Sequence, residues 1–380
     1  MKQLLYAVIC TLCLFTGAAL APTTALAQTE VFEETQGIWR AEVIEVTESD
    51  TRIIPGTDAQ TQFQTIRAQV LDGPQAGDVI TVDDDYLNLD TGERFYYVHN
   101  IFFDNTEVYG VLHRDRSQQL IFLGILFMVA VITLSGWQGV RSLIALVGSF
   151  AAIFYVLLPG ILSGGNPLLL SLLVAALVLF GAIFFTHGLN RESAVAYGGT
   201  MIAVGLTVLL AMAAAAATSL TGFASDGATA LNLMTRGDLD MSAILLGAMV
   251  IGVLGVLDDI AVTQSAVVTE LFSADRSQSR RTVFTKALRV GREHVGALVN
   301  TLILAYTGAA LPLLLFYYAS SSNVTMALSS ELFATEIIRM IVGSIGLIMT
   351  VPIVTFLAVW YLKDYESSRS GSHHGHHHHH

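Results

Sequence analysis

Two adjacent carboxylates, Asp258 and Asp259, stand inside the apolar run Gly255-Val256-Leu257-Asp258-Asp259-Ile260-Ala261. An ionised aspartate at the centre of a membrane-spanning helix costs about 2.5–3.5 kcal/mol even on lenient insertion scales, so the pair must be neutralised, paired or solvated. At about 100° per residue, a helix puts Asp259, Thr263, Ala266 and Glu270 on one stripe and Asp258, Val262, Ser265 and Thr269 on its neighbour. Oxygen-rich stripes of this kind suit two chemistries. One is ligation of a hard cation, in which Asp258 and Asp259 would hold the metal; the other is carriage of a proton by carboxylates whose ionised form burial has made costly. The plainer alternative is that the pair ends a helix near the inner interface or anchors an arginine.

A second set of polar residues follows. Asn300, Thr301, Tyr306 and Thr307 lie in another apolar run, with Asn300 and Thr307 seven apart and so on one face. They would complete an ion, proton or substrate path with Asp258, Asp259, Thr263, Ser265 and Glu270, or else bond one helix to another. Pro312 should bend or break that helix. Glu336 and Arg339, three apart, are expected to pair as an outer gate or a structural link. Gly343, Gly346 and Thr350 form a small-residue stripe for close helix packing.

These residues need membrane helices to position them, and the composition supplies them. The chain of 380 residues is 53% hydrophobic and only 13% charged, with a mean hydropathy of +0.61. A soluble chain carries about 25% charged residues. From residue 119 on, seven apolar stretches reach the roughly 20 residues a helical crossing needs: 119–136, 142–162, 167–187, 194–217, 242–268, 295–319 and 336–362. Laying the second stretch on the sixth matches Ala145-Leu146-Val147-Gly148-Ser149 to Ala297-Leu298-Val299-Asn300-Thr301. Two parallel three-helix repeats around a linker helix would explain that match.

The first residues read as a cleavable secretory signal over 1–27: Lys2, an apolar run from Leu4 to Leu20, then Ala25-Leu26-Ala27 before Gln28. Both cysteines, Cys10 and Cys13, fall inside it. Residues 28–117 carry 18 acidic against 6 basic residues, essentially the whole formal charge of −12. Such a charge disfavours nucleic acid as a partner. Within this segment apolar residues alternate, as in Trp39-Arg40-Ala41-Glu42-Val43-Ile44-Glu45-Val46, and turn signals recur at Pro55-Gly56, Asp72-Gly73-Pro74 and Asp90-Thr91-Gly92. About five strands at hairpin spacing make a small β-barrel or sandwich, OB-like. Asp83-Asp84-Asp85 would gather cations at a mouth or form a solvated turn.

A signal places this acidic β domain outside the cytoplasm, and the basic residues agree. Alternating loops put Arg141, Arg191, Arg276, Arg280, Arg281, Lys286, Arg289, Arg292, Lys363 and Arg369 inside, with only Arg236 and Arg339 outside in the membrane part. The expectation is a polytopic α-helical membrane protein of about seven transmembrane helices, N-terminus out and C-terminus in, over residues 118–365. The stretch Ala274–Arg292 should form an amphipathic helix, Val283, Ala287 and Val290 opposite a basic face, lying against anionic lipid. Residues 366–380 form a His-rich tail, native or an expression tag.

No HExxH, P-loop, G-x-S-x-G or nucleotide-binding GxGxxG occurs. Enzymatic activity and a resident cofactor are not expected. The second half resembles the YibE/F-like bacterial membrane protein family. The residues that carry the likeness are Gly255-Val256-Leu257-Asp258-Asp259-Ile260-Ala261, Gly291-Arg292-Glu293-His294-Val295-Gly296, Asn300-Thr301-Leu302-Ile303-Leu304-Ala305-Tyr306-Thr307-Gly308 with Leu311-Pro312, and Glu336-Ile337-Ile338-Arg339 with Gly343-Ser344-Ile345-Gly346. The resemblance implies a signal sequence, an extracytoplasmic domain and a polytopic core in the bacterial inner membrane, and it implies no particular substrate. The residues themselves favour a secondary transporter of a small solute, a cation or a proton-coupled solute. The alternatives are an envelope scaffold or sensor whose β domain binds a partner, and a lipid-carrier flippase. Membrane lipids and an ion or small-molecule substrate are the expected partners, with a second copy of the chain or an envelope protein as the protein partner.

Overall fold

Strands alternate buried and exposed side chains because successive Cβ atoms point to opposite faces, and this rhythm builds the first part of the chain. A computed structural model describes residues 37–53, 60–101, 107–319 and 324–362. The expected signal over 1–27, the Pro55-Gly56 turn and the His-rich tail lie outside the described residues. The chain divides into two units between Leu134 and Ser135.

Among the described residues, the first unit holds five strands: β1 (Gly37–Ile53), β2 (Gln60–Val70), β3 (Val79–Asp84), β4 (Arg94–Ile101) and β5 (Glu107–Arg114). They close into a barrel in the order β1-β2-β3-β5-β4, with β3 and β5 parallel and every other pairing antiparallel. In β2, Gln64, Ile66, Ala68 and Val70 face inward while Arg67 and Gln69 face out. With Ala41, Val43, Val82, Leu89, Phe95 and Tyr97 they make the barrel core. At the β2–β3 turn Arg40 grips Asp72, its backbone N–H donating to Oδ1 and its Nε to Oδ2, both at 2.7 Å. That carboxylate raises the Arg40 pKa above its ordinary value. Gly73 there has φ +89°, and a Cβ on it would fall 2.1 Å from the Trp39 ring. The Asp83-Asp84-Asp85 run is used locally: Asp83 accepts from Thr65 Oγ1 at 2.8 Å, and Asp84, 2% exposed, accepts from the Tyr86 and Leu87 amides.

Tyr97 supplies a pH prediction. Burial pushes its phenol up to about 12 from an ordinary 10.0. The unfolded phenol ionises first as pH rises, so Tyr97's contribution is whole below pH 10 and drains away as pH climbs toward 12. At about 1.4 kcal/mol per unit, the loss is on the order of 2–3 kcal/mol. Alkaline unfolding curves of wild type and Tyr97→Phe should diverge in that window, the phenylalanine variant keeping more of its stability; parallel curves would refute this.

The remaining chain is helical. It comprises α1 (Ser117–Ala152), a π-helical turn (Ile153–Leu157), α2 (Leu158–Leu162), α3 (Pro167–Phe180), a second π turn (Gly181–Phe185), α4 (Arg191–Thr218), α5 (Asp226–Met234), α6 (Met241–Ala274), α7 (Arg280–Ala309), α8 (Leu311–Ala319), α9 (Val324–Ser329) and α10 (Glu331–Tyr361). Caps set the starts: the side chains of Asn166, Asn190, Asp240 and Ser279 accept from the amides of Leu169, Ser193, Ala243 and Thr282. Among the described residues, five helical runs are long and apolar enough to cross a membrane, or six if α7 and α8 form one bent span. The sequence expects seven, and the difference lies in Ser117–Leu162, a single run of 46 residues where two crossings were expected. Gly136, at φ 57° and ψ −135°, breaks it at the expected boundary. The bend between α7 and α8 is 58°. It falls at Ala310, two residues ahead of Pro312, whose ring cannot sit against the carbonyl four residues back.

In the second unit α6 packs against α4 and α10 around Val204, Val208, Val250, Leu254, Leu257 and Leu347. Small residues let the backbones approach: a Cβ on Gly199 would lie 2.6 Å from Val354, and one on Gly247 2.2 Å from Ser171 Oγ. The buried Gln264 ties three helices together, its Nε2 donating to Ala287 O at 2.9 Å and to Thr355 Oγ1 at 2.7 Å. The expected amphipathic stretch differs from its reading. Val283 and Ala287 are fully buried against Phe272, Ala358, Val359 and Leu362, so that apolar face serves the protein core while Val290 stays exposed.

Candidate functional site

α6 reaches about 50 Å at 1.5 Å per residue, and Asp258 sits about 25 Å along it, far from either end. The same helix shows a continuous buried face, Val250, Val253, Leu254, Leu257, Ile260, Ala261 and Gln264, which fixes its rotation. Asp258 therefore falls half-buried beside that face, and Asp259 turns away from it and is exposed. Both line a cavity of about 530 Å³. Thr263, one turn on, lines it as well.

The other walls come from distant parts of the chain. The C-terminal half of α1 contributes Ser142 and Ser149, and the end of the α3 run contributes Thr186 and His187. Apolar Leu146, Phe150, Leu179, Ile183 and Leu254 fill the rest, so carboxylates, hydroxyls and an imidazole converge in an otherwise apolar hollow. Both π turns border it, through Ile153 and through Ala182 and Ile183. Such turns insert one residue too many for a regular helix and recur at functional sites. Here the second carries Thr186 and His187 to the cavity wall.

Beside this cavity lies a smaller one of about 200 Å³, lined by His187, Asn190, Glu192, Ser193, Ala196 and Val262. His187 and Val262 belong to both. The start of α4 is held to α6 here: Ser265 Oγ donates to Glu192 O at 3.2 Å, and Thr269 Oγ1 to Glu192 Oε2 at 3.4 Å. Among the described residues, no three His, Cys, Asp or Glu side chains converge as a metal-ion cage would require.

Asp258, Asp259 and Thr263 thus come together, while Ser265 faces the start of α4. Glu270, Asn300 and Thr301 are exposed and do not line the larger cavity. Thr301 and Thr307 donate to the carbonyls of Ala297 and Ile303 in their own helix. Tyr306 belongs to a separate group. A Cβ on Gly252 of α6 would lie 3.0 Å from its hydroxyl, and Arg339 lies 5.9 Å from its ring. Arg339 Nη1 donates to Glu336 Oε1 at 2.7 Å. Ser142, Ser149, Thr186, His187 and Glu192 escape the sequence reading. His187 had one visible signal: an imidazole at the very end of an apolar stretch, in Phe184-Phe185-Thr186-His187-Gly188.

No curated protein and no solved structure matches the chain. One family model, described as YibE/F-like protein, matches residues 123–364. That match takes in every helix around the two cavities and well over half of the chain, and the chain belongs to the YibE/F-like protein family.

Proposed function

We propose that this chain is a secondary membrane transporter of a small cation or a proton-coupled solute, with Asp258 and Asp259 as the carriers. One observation carries the reading: two adjacent carboxylates, deep in an apolar helix, line a 530 Å³ cavity shared with hydroxyls and a histidine from other helices. A water molecule occupies about 30 Å³ of liquid, so the hollow has room for several. Solvent there removes much of the cost of ionisation and lets the carboxylates exchange their cargo. Ionisable groups inside membrane helices mark such pathways.

The topology that goes with this reading has seven crossings, N-terminus out and C-terminus in, Ser117–Leu162 supplying two of them. At about 70 Å, that run is more than twice a hydrocarbon core of about 30 Å. The membrane would be the bacterial inner membrane, with the acidic barrel outside. Its strand order is that of an OB barrel, a fold built to present loops to ligands.

Reconstituted protein, given imposed gradients of protons, alkali, alkaline-earth and transition-metal cations, is expected to move at least one of them. The Asp258→Asn/Asp259→Asn variant should fall to the level of empty liposomes. Flux that persists unchanged in this variant would remove the carriers from the mechanism.

The scaffold or sensor reading has one observation of its own. β1 and β2 continue beyond the barrel as a largely exposed ribbon, Asp50–Ile53 paired with Gln60–Phe63, which a partner could grip. Absence of flux for every cation, from folded protein, would favour it.

A further inference from the structure

Two cavities share one titratable side chain. His187 lines the hollow that holds Asp258 and Asp259 and also the smaller one that holds Asn190, Glu192 and Ser193. On one side of it are the carboxylates in the middle of α6; on the other is a glutamate in the first turn of α4. We propose that His187 is a proton relay between the Asp258/Asp259 cavity and Glu192, and that the cation exchanged by the carboxylate pair is the proton.

Three observations converge on this. Imidazole has an ordinary pKa near 6.5 and two nitrogens, so it can accept a proton on one side and release one on the other. Two hollows bordering one imidazole have room for the water through which those transfers would run. And a proton needs only one acceptor at a time, which the His187 ring supplies at the wall that both hollows share.

The steps balance without any further reactant. A proton leaves a carboxyl oxygen of Asp258 or Asp259 and passes through water to one ring nitrogen of His187. The proton on the other nitrogen passes through water to the Glu192 carboxylate, and from there to solvent. No covalent bond between heavy atoms changes. The charged and titratable groups that line the two hollows with His187 are Asp258 and Asp259 on α6 and Glu192 on α4. Thr269 holds the Glu192 carboxylate toward α6.

The inference rests on the transport reading above, and its test separates the two. Full-length protein is reconstituted in liposomes containing a pH-sensitive dye, and proton entry is driven by a potassium diffusion potential. Wild type should acidify the lumen; His187→Ala should slow this about a hundredfold, the range that a positioned proton-transfer group contributes. Added imidazole should restore much of the lost rate in His187→Ala, because both hollows leave space for it, and none in Asp258→Asn/Asp259→Asn. Glu192→Gln should slow entry without imidazole rescue.

Undiminished proton flux in His187→Ala would overturn the relay while leaving the carriers in place. Loss that imidazole does not restore, in protein with wild-type thermal stability, would make His187 structural and overturn it as well. Wild-type flux of another cation without protons would overturn the proton assignment and keep the transporter; no flux of any ion would sink both.

Discussion

Replacing Gly346 by valine should cost the helix bundle about 3 kcal/mol or more, the upper end of what overpacking imposes. A Cβ at this position would lie 2.3 Å from Thr207 Oγ1 and 3.2 Å from its Cγ2. Thr207 has little freedom to retreat: it is 3% exposed, and its hydroxyl donates to Ala203 O at 2.8 Å in its own helix. On the other side, Thr350 Oγ1 donates to the carbonyl of Gly346 and steadies the α10 backbone at the contact. Alanine alone needs the neighbour to shift, and valine adds two methyl groups to a seam already in contact. The loss should appear as a lower melting temperature of purified protein in detergent. Trimming the neighbour gives the control: Thr207→Ala removes the two nearest atoms and leaves only Cβ, 3.3 Å from the new Cβ, so Gly346→Ala should be much less damaging in that background. Additive effects of the two changes would mean that they do not share a contact.

Gly222→Ala should be at least as damaging, at about 3–5 kcal/mol, because two costs add. The residue has φ +93°, where a side chain strains the backbone by about 1–2 kcal/mol. Its Cβ would also fall 2.2 Å from the carbonyl oxygen of Met241 and 2.4 Å from the carbonyl carbon. These are backbone atoms at the first turn of α6, and nothing flexible can yield. The displaced loop would take other bonds with it. Glu331, which opens α10, accepts from the amides of Thr221, Gly222 and Phe223 at 2.8, 2.7 and 3.1 Å. One carboxylate thus fastens the loop after α4 to the start of α10, and Gly222 in that loop meets the start of α6. The variant should melt well below wild type and expose its 219–225 loop to protease; a melting temperature within error of wild type would show that the loop accommodates the side chain.

The parts of this molecule that could be read from the sequence are those set by local pattern. Alternation in Phe63–Val70 announces a strand with Ile66, Ala68 and Val70 inward, and that is how β2 lies. Glu336 and Arg339 meet because three residues of helix bring them together. Asp258 and Asp259 stand out because charge in an apolar run is expensive wherever it sits. What pattern could not supply is which helix faces which. Ser149 and His187 reach the Asp258/Asp259 cavity from α1 and from the end of the α3 run, and no periodicity within one helix encodes that neighbour. Nor does periodicity distinguish lipid from protein as the cover for an apolar stripe. Val283 and Ala287 look the same on paper whether they meet acyl chains or Phe272 and Leu362. Gly136 closes the first expected span, 119–136, and is where α1 breaks, but the same residue type within Gly148-Ser149 leaves α1 helical, so the break depends on its surroundings.

The closed barrel also sets a cost on folding. β1 pairs with β4 to seal it, and Gly37 meets His99 although β2 and β3 lie between them along the chain. Contacts made across so much intervening chain demand loop-closure entropy before they return any stabilisation, and folds dominated by them form slowly. Helices assemble from neighbours four residues apart and need no such wait. Closure of the barrel is therefore expected to be slower than the formation of any one helix, and until β1 and β4 meet, their unpaired backbone groups are open to strands of other chains.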